Sequence, residues 1–100
     1  MSLFQERCLK FVALIPEGRV STYKAIAKAL KTKAYRAVGS AIGKNPNPIT
    51  VPCHRVVKSD GRVGGYAFGV EKKIQLLQKE GVQVENDKIV DFEKLFFDPS

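Results

Sequence analysis

A chain of 100 residues with 44% hydrophobic content has room for one modest core, which excludes both a multidomain assembly and a disordered polyelectrolyte. No apolar run approaches the ~20 residues of a bilayer span, and the N-terminus lacks a signal peptide's charged-then-apolar order, so a soluble intracellular protein is expected, cytoplasmic or (in a eukaryote) nuclear. The formal charge of +7 is unevenly placed, with nine cations and no anions from Gly18 to Ser59 and half of the ten acidic residues in the last sixteen positions. Such a field attracts a polyanion, although a solvated basic face reads the same way. Two cysteines and one histidine are too few for a disulfide scaffold or a closed four-ligand zinc site, so no metal is expected.

The first predicted element is a helix from Ser2 to about Leu14. Ser2 and Gln5 have the form of a capping box, and Phe4, Cys8, Phe11, Val12 and Ile15 recur at helical spacing. Cys8 therefore reads as a small buried hydrophobe. Pro16 and Gly18 end this helix. Ser21 or Thr22 caps a second helix reaching Leu30, with Tyr23, Ile26, Ala27 and Leu30 on one face. After the turn at Lys31-Thr32-Lys33 a third helix runs from about Ala34 to Gly43. Its Ala34, Ala37, Val38 and Ala41 are expected inward, with Tyr35, Arg36 and Ser40 facing elsewhere. Two short lysine-rich helices joined by a tight turn look like a helix-turn-helix.

Asn45-Pro46-Asn47-Pro48 is a stiff irregular connection. Ile49-Thr50-Val51 reads as extended and Val56-Val57 as a short strand, closed by the turn Ser59-Asp60-Gly61. Gly64 to Gly69 is a glycine loop carrying Tyr66 and Phe68. A fourth helix spans about Val70 to Glu80, with Ile74 and Leu77 inward and Gly81 as its stop. Val82-Gln83-Val84 and Lys88-Ile89-Val90 suggest a hairpin, and the tail packs back through Leu95, Phe96 and Phe97. The whole, residues 1–100, is expected to be a single domain: mainly α with short β elements, a winged-helix-like helix-turn-helix.

Pro52-Cys53-His54-Arg55-Val56-Val57 puts a thiol beside the only histidine. A thiol attacks as its thiolate, which an imidazole and nearby cations such as Arg55 and Lys58 promote. In an extended segment Cys53 and His54 point to opposite sides, so proton transfer needs a bridging water or a kink. The histidine in turn needs a carboxylate to hold its tautomer, and Glu80 is the candidate outside the acidic tail.

This string resembles the active-site signature of the O6-alkylguanine-DNA alkyltransferases, the methylated-DNA–protein-cysteine methyltransferases. Ile15 to Tyr23 resembles the family's entry into its helix-turn-helix, Arg36-Ala37-Val38-Gly39 its recognition helix, and Asn45 to Pro48 its asparagine hinge. Gly64-Gly65-Tyr66 is similar to its substrate loop, and Leu77 to Gly81 to the helix bearing its acidic relay residue. The order and spacing agree from about Phe4 to Gly81.

The resemblance implies that Cys53 accepts an alkyl group from guanine O6 in duplex DNA, once per molecule and without a cofactor. It casts His54 as a base acting through water, Glu80 as its polarising partner, and Asn45 as a brace for the turn. It casts Tyr23 as donor to the departing base and Arg36 as the side chain that replaces the extruded nucleotide. Tyr66 and Ala67 would wall the base pocket, while Val51 and the Cys53 backbone would read the guanine edge. Ala34, Ala37, Gly39, Ser40 and Ala41 would let the helix sit in the minor groove. Lys24, Lys28, Lys31, Lys33 and Lys44 would contact phosphates, and Arg55 is assigned to the same DNA surface. No membrane or obligate protein partner is implied, and a monomer is expected. Ala67 stands where some members have a polar side chain, which leaves any oxygen contact there to the backbone.

Two rivals remain. A non-catalytic alkyltransferase-like protein would bind and flag alkylated DNA, but such proteins lack the acceptor thiol. A plain helix-turn-helix regulator would make Cys53-His54 incidental, and it should prefer a sequence rather than a lesion.

Overall fold

In the computed structural model, which describes residues 2–46 and 50–100, the apolar periodicity of the N-terminal half becomes three packed helices. Helix α1 (Leu3–Val12) starts at Ser2, whose hydroxyl accepts the Gln5 amide at 3.1 Å. Only this half of the expected capping box forms. The Gln5 side chain donates instead to the Ala41 and Lys44 carbonyls, each at 3.2 Å, and so fastens α1 to the end of the third helix. Helix α1 stops short of the predicted end, leaving Leu14 exposed, with Cys8, Leu9 and Val12 buried. Burial also pushes the Cys8 thiol's pKa up, which suits an inert packing role.

Strand β1 (Ser21–Thr22) leads directly into α2 (Tyr23–Ala29), capped by the Thr22 hydroxyl on the Ala25 amide at 3.0 Å. Helix α3 (Tyr35–Gly43) follows after the turn, completing the helix-turn-helix. It turns Val38, Ala41 and Ile42 inward, whereas Ala34 and Ala37, expected to be buried, are exposed. Burial gain scales with apolar area, so the branched side chains set the rotation and the small alanines follow. Cys8, Val12, Ile26, Leu30, Val38 and Ile42 form the first core.

Of the predicted extended segment, Ile49 lies outside the described residues, as do Asn47 and Pro48 of the connection, while Thr50 and Val51 form a turn and a bend rather than a strand. The chain then makes one 3₁₀ turn, Cys53–Arg55, before β2 (Val56–Val57). Strand β2 runs parallel to β1, with Ser21 opposite Val56 and Thr22 opposite Val57. Helix α4 (Val70–Lys79) ends where expected, with Gly81 at φ +90°, a conformation that favours glycine.

The hairpin is shorter than predicted: β3 (Val84–Glu85) pairs with β4 (Lys88–Ile89) across Asn86 and Asp87, both at positive φ. Val82 belongs to a second core with Val20, Val57, Val63, Leu77 and Ile89. The Lys58–Val63 turn joins the hairpin through Ile89 N to Gly61 O at 2.9 Å and Val63 N to Asp87 O at 3.0 Å, forming the wing. Helix α5 (Phe92–Leu95) and the tail return to Val20, which donates to Leu95 O at 3.1 Å and accepts from Phe97 N at 2.7 Å. Arg19 secures this return by donating to the Leu95 and Phe96 carbonyls at 2.9 and 2.7 Å. Among the described residues no helix is long and apolar enough to cross a membrane.

Candidate active site

The 3₁₀ turn corrects the expected extended geometry at Cys53. With three residues per turn, successive side chains fan apart by about a third of a circle, so neighbours need not oppose one another. Cys53 lines a cavity of about 20 Å³ with Tyr23, Ile42, Asn45, Gly65, Tyr66 and Phe68. His54 and Arg55 line a separate groove of about 660 Å³ with Pro52, Leu76 and Glu80. Tyr66 and Phe68 border both spaces, and their rings meet edge-on at 5.6 Å between centroids.

Asn45, to which the resemblance gives the bracing of the turn, donates from its Nδ2 to the Val51 carbonyl at 2.9 Å. The same carbonyl accepts the Cys53 amide at 2.8 Å. Both acceptor positions of Val51 O are therefore engaged, and the Cys53 N–H is engaged with it. This pair does not offer free groups to read a guanine edge, which corrects that assignment for Val51.

On the other side of the turn, His54 Nε2 stands 3.1 Å from Glu80 Oε1. Glu80 also accepts two hydrogen bonds from Arg55, at 3.0 and 2.5 Å, and Arg55 Nη1 donates to the Ile15 carbonyl at 2.8 Å. The guanidinium is thus committed to the relay side, which corrects its assignment to the DNA surface. Burial lowers the His54 pKa, with the Arg55 and Lys73 charges adding to the effect and Glu80 opposing it, so the imidazole is neutral at neutral pH and able to take a proton. Burial would raise the Glu80 pKa, but the hydrogen bonds from Arg55 and the close approach of His54 outweigh it and keep the carboxylate ionised.

The Cys53 cavity opens towards α3. Tyr23, Tyr35, Arg36, Gly39, Gly43, Gly65, Tyr66 and Ala67 line an open cup of about 440 Å³ that shares five of these residues with the cavity below. Cys53 itself is only 7% exposed at the bottom. Burial and the Cys53 charge raise the pKa values of Tyr23 and Tyr66, so both phenols keep their protons near neutrality and can donate them. Arg36 lines this cup, and Lys24, Lys33, Ala34, Arg36, Ala37 and Ser40 of the expected DNA surface are all exposed. Gly39 is half-buried, and a Cβ there would stand 4.0 Å from the Tyr23 ring, so it backs the tyrosine rather than the solvent.

Residues 3–82 match the family model described as 6-O-methylguanine DNA methyltransferase, DNA binding domain. The chain belongs to that family. It is 44% identical over 82 residues to the methylated-DNA–protein-cysteine methyltransferase of Methanothermobacter thermautotrophicus, covering 82% of this chain and 46% of that protein. Among solved structures it resembles Mycobacterium tuberculosis OGT in complex with DNA, with a TM-score of 0.77, 42% identity and coverage of 80% and 50% of the two chains. It also resembles S. pombe Atl1 in complex with damaged DNA containing O6-carboxymethylguanine, with a TM-score of 0.84, 26% identity and coverage of 97% and 96%. The chain spans about half the length of the curated methyltransferases it matches.

Within this methyltransferase-family domain, one site residue escaped the sequence reading. Lys73 is fully buried, and its Nζ donates to the Val56 carbonyl at 2.7 Å and the Gly65 carbonyl at 3.1 Å. It ties the glycine loop to the strand that follows Cys53, and its ammonium lies 5.9 Å from the Tyr23 ring centre. Burial pushes its pKa down to about 8, partly offset by the charges of Cys53 and Asp87. The available signal was positional: Lys73, Ile74 and Leu77 share one helical stripe, and a lysine on a buried stripe is anomalous.

Proposed function

We propose that this domain repairs DNA by moving an alkyl group from guanine O6 to Cys53, irreversibly and once per molecule. The observation that carries the reading is the thiol at the bottom of a cup on the basic helix-turn-helix face, one residue from a His54–Glu80 pair at 3.1 Å. Resemblance to the methyltransferases and to complexes with DNA supports it. The O6 atom lies within a stacked pair, so the nucleotide must be everted, at a cost of roughly a few kcal/mol. Arg36, exposed on the cup rim, fills the space left in the duplex, and Lys24 and Lys33 hold phosphates.

Neutral His54 takes the thiol proton through a water, and Glu80 stabilises the resulting imidazolium. The Cys53 sulfur attacks the alkyl carbon, the carbon–O6 bond breaks, and the electron pair leaves with the base. Tyr23 donates a proton to the leaving guanine ring. The product is a thioether, which the reaction cannot reverse. A cavity of about 20 Å³ has room for roughly one water, so the purine itself is taken by the open cup above it.

Duplex DNA carrying O6-methylguanine, mixed with the protein, should lose its methyl to the peptide containing Cys53. Mass spectrometry should show one methyl per protein molecule, and Cys53→Ala should bind without reacting. The near end-to-end match to Atl1 favours a second reading, in which the domain marks alkylated DNA without repairing it. Tight lesion binding with an unmodified thiol would establish that reading instead, and indifference to the lesion would sink both.

A further inference from the structure

Tyr35 is the first residue of α3, precedes Arg36, and is 46% exposed. A single exposed aromatic needs no explanation by itself, but the position of this one does. It stands between two open cups of about 440 Å³ each, and Tyr23 and Tyr35 are the residues common to both. The first cup leads down to Cys53. The second is lined by Tyr23, Lys24, Tyr35, Lys58, Ser59 and Asp60. Lys24, Lys58 and Ser59 offer donors to an anion there. Asp60 is turned to its own wing, its Oδ1 accepting the Arg62 amide at 3.0 Å and its Oδ2 lying 3.5 Å from Arg62 Nε.

Resting on the repair function, we propose that Tyr35 is a wedge that packs against the nucleotide adjoining the everted one. That neighbour's sugar and phosphate occupy the second cup. The chemistry fits the shape: an aromatic face stacks on any base and so adds affinity without sequence choice, while lysines on the far wall hold the backbone. Arg36 and Tyr35 divide the work, one filling the gap in the stack and the other keeping the flanking residue from following into the lesion cup. Tyr35 is a positioning residue, since it touches neither the alkyl carbon nor Cys53.

The test compares Tyr35→Ala with Tyr35→Phe, both at an exposed position where the fold tolerates change. Single-turnover transfer is measured from duplex O6-methylguanine and from the free nucleobase O6-methylguanine. Tyr35→Ala should slow the duplex reaction about tenfold more than the free-base reaction, the size of one lost base–aromatic stack. Tyr35→Phe should stay within about twofold of the parent, because the ring and not the hydroxyl does the packing. Equal losses on the two substrates, or no loss, would overturn the wedge. Affinity for the lesion duplex on a Cys53→Ala background decides independently: about tenfold weaker with alanine and restored by phenylalanine supports it, and unchanged affinity overturns it. Absence of methyl transfer by the unaltered protein would overturn the repair reading, with the affinity comparison still judging the wedge.

Discussion

Around α1, α2 and α3 the core is filled by side chains that recur every three or four positions, whereas beneath α4 it is filled from two-residue strands and turns. The two cores meet at the β1–β2 ladder, where Val56 packs into the first and Val57 into the second. The candidate active site lies along this seam: Tyr23 and Asn45 come from the helical side, His54 from the turn, and Lys73 and Glu80 from the other. The helical half builds a surface, and the short-stranded half supplies charged groups beside the thiol held between them.

The harshest way to break this comparison is to empty one core. Ile26→Ala and Leu77→Ala, each at a fully buried position, should cost about 2–5 kcal/mol in urea denaturation. If the seam couples the cores, both variants unfold in a single transition. Two resolved transitions would show independent halves.

Lys73→Met sharpens the electrostatic contrast. Its folded pKa of about 8 lies below the ordinary 10.5, so the unfolded chain holds the extra proton across that window. The Lys73 contribution to stability is therefore fully present above 10.5 and is lost as pH falls towards 8. The methionine variant should fold, lack that alkaline rise, and transfer methyl groups more slowly because the Gly65 loop has lost its tie. An unchanged stability–pH curve would refute the assignment.

Glu80→Gln replaces the carboxylate facing His54 and Arg55 with a neutral amide that keeps only one acceptor oxygen, and should cost about 1–3 kcal/mol near neutrality. Glu80's pKa is depressed, so the wild-type advantage is complete above the ordinary value of 4.5 and disappears as pH falls through the lower folded value. Denaturation at a series of acidic pH values measures this directly. At the gentle end, Lys33→Ala at an exposed position should alter stability by less than about 0.5 kcal/mol. It should instead flatten the salt dependence of duplex binding by about one counterion.

Much of the helical half was legible because a buried stripe repeats in the sequence: Cys8 and Val12, then Ile26, Ala27 and Leu30, and finally Val38 with Ala41. The misplacement of Ala34 and Ala37 has the same origin, since alanine carries too little apolar area to declare a face. Cys53, His54, Asn45 and Glu80 were legible through their chemistry and order. The turn at Cys53 was not, because Pro52 restricts its predecessor but leaves the backbone of its successor open. Arg55 looked like part of the basic surface, and only the return of α4 beside Ile15 shows its charge to be spent on Glu80. Lys73 was hidden among the other lysines of a solvent-facing helix, its burial set by partners far away in sequence.

The tightness of the space around Sγ has a last consequence. A thioether adds a permanent carbon where there is room for about one water, against a turn fastened by Asn45. A methyl fits with little disturbance, but each further carbon must push on Ile42, Tyr66 or that fastening, at a typical overpacking cost of about 1–3 kcal/mol. On the proposed repair reading, the spent molecule would carry a record of the damage it removed: the larger the group taken, the lower the melting temperature expected.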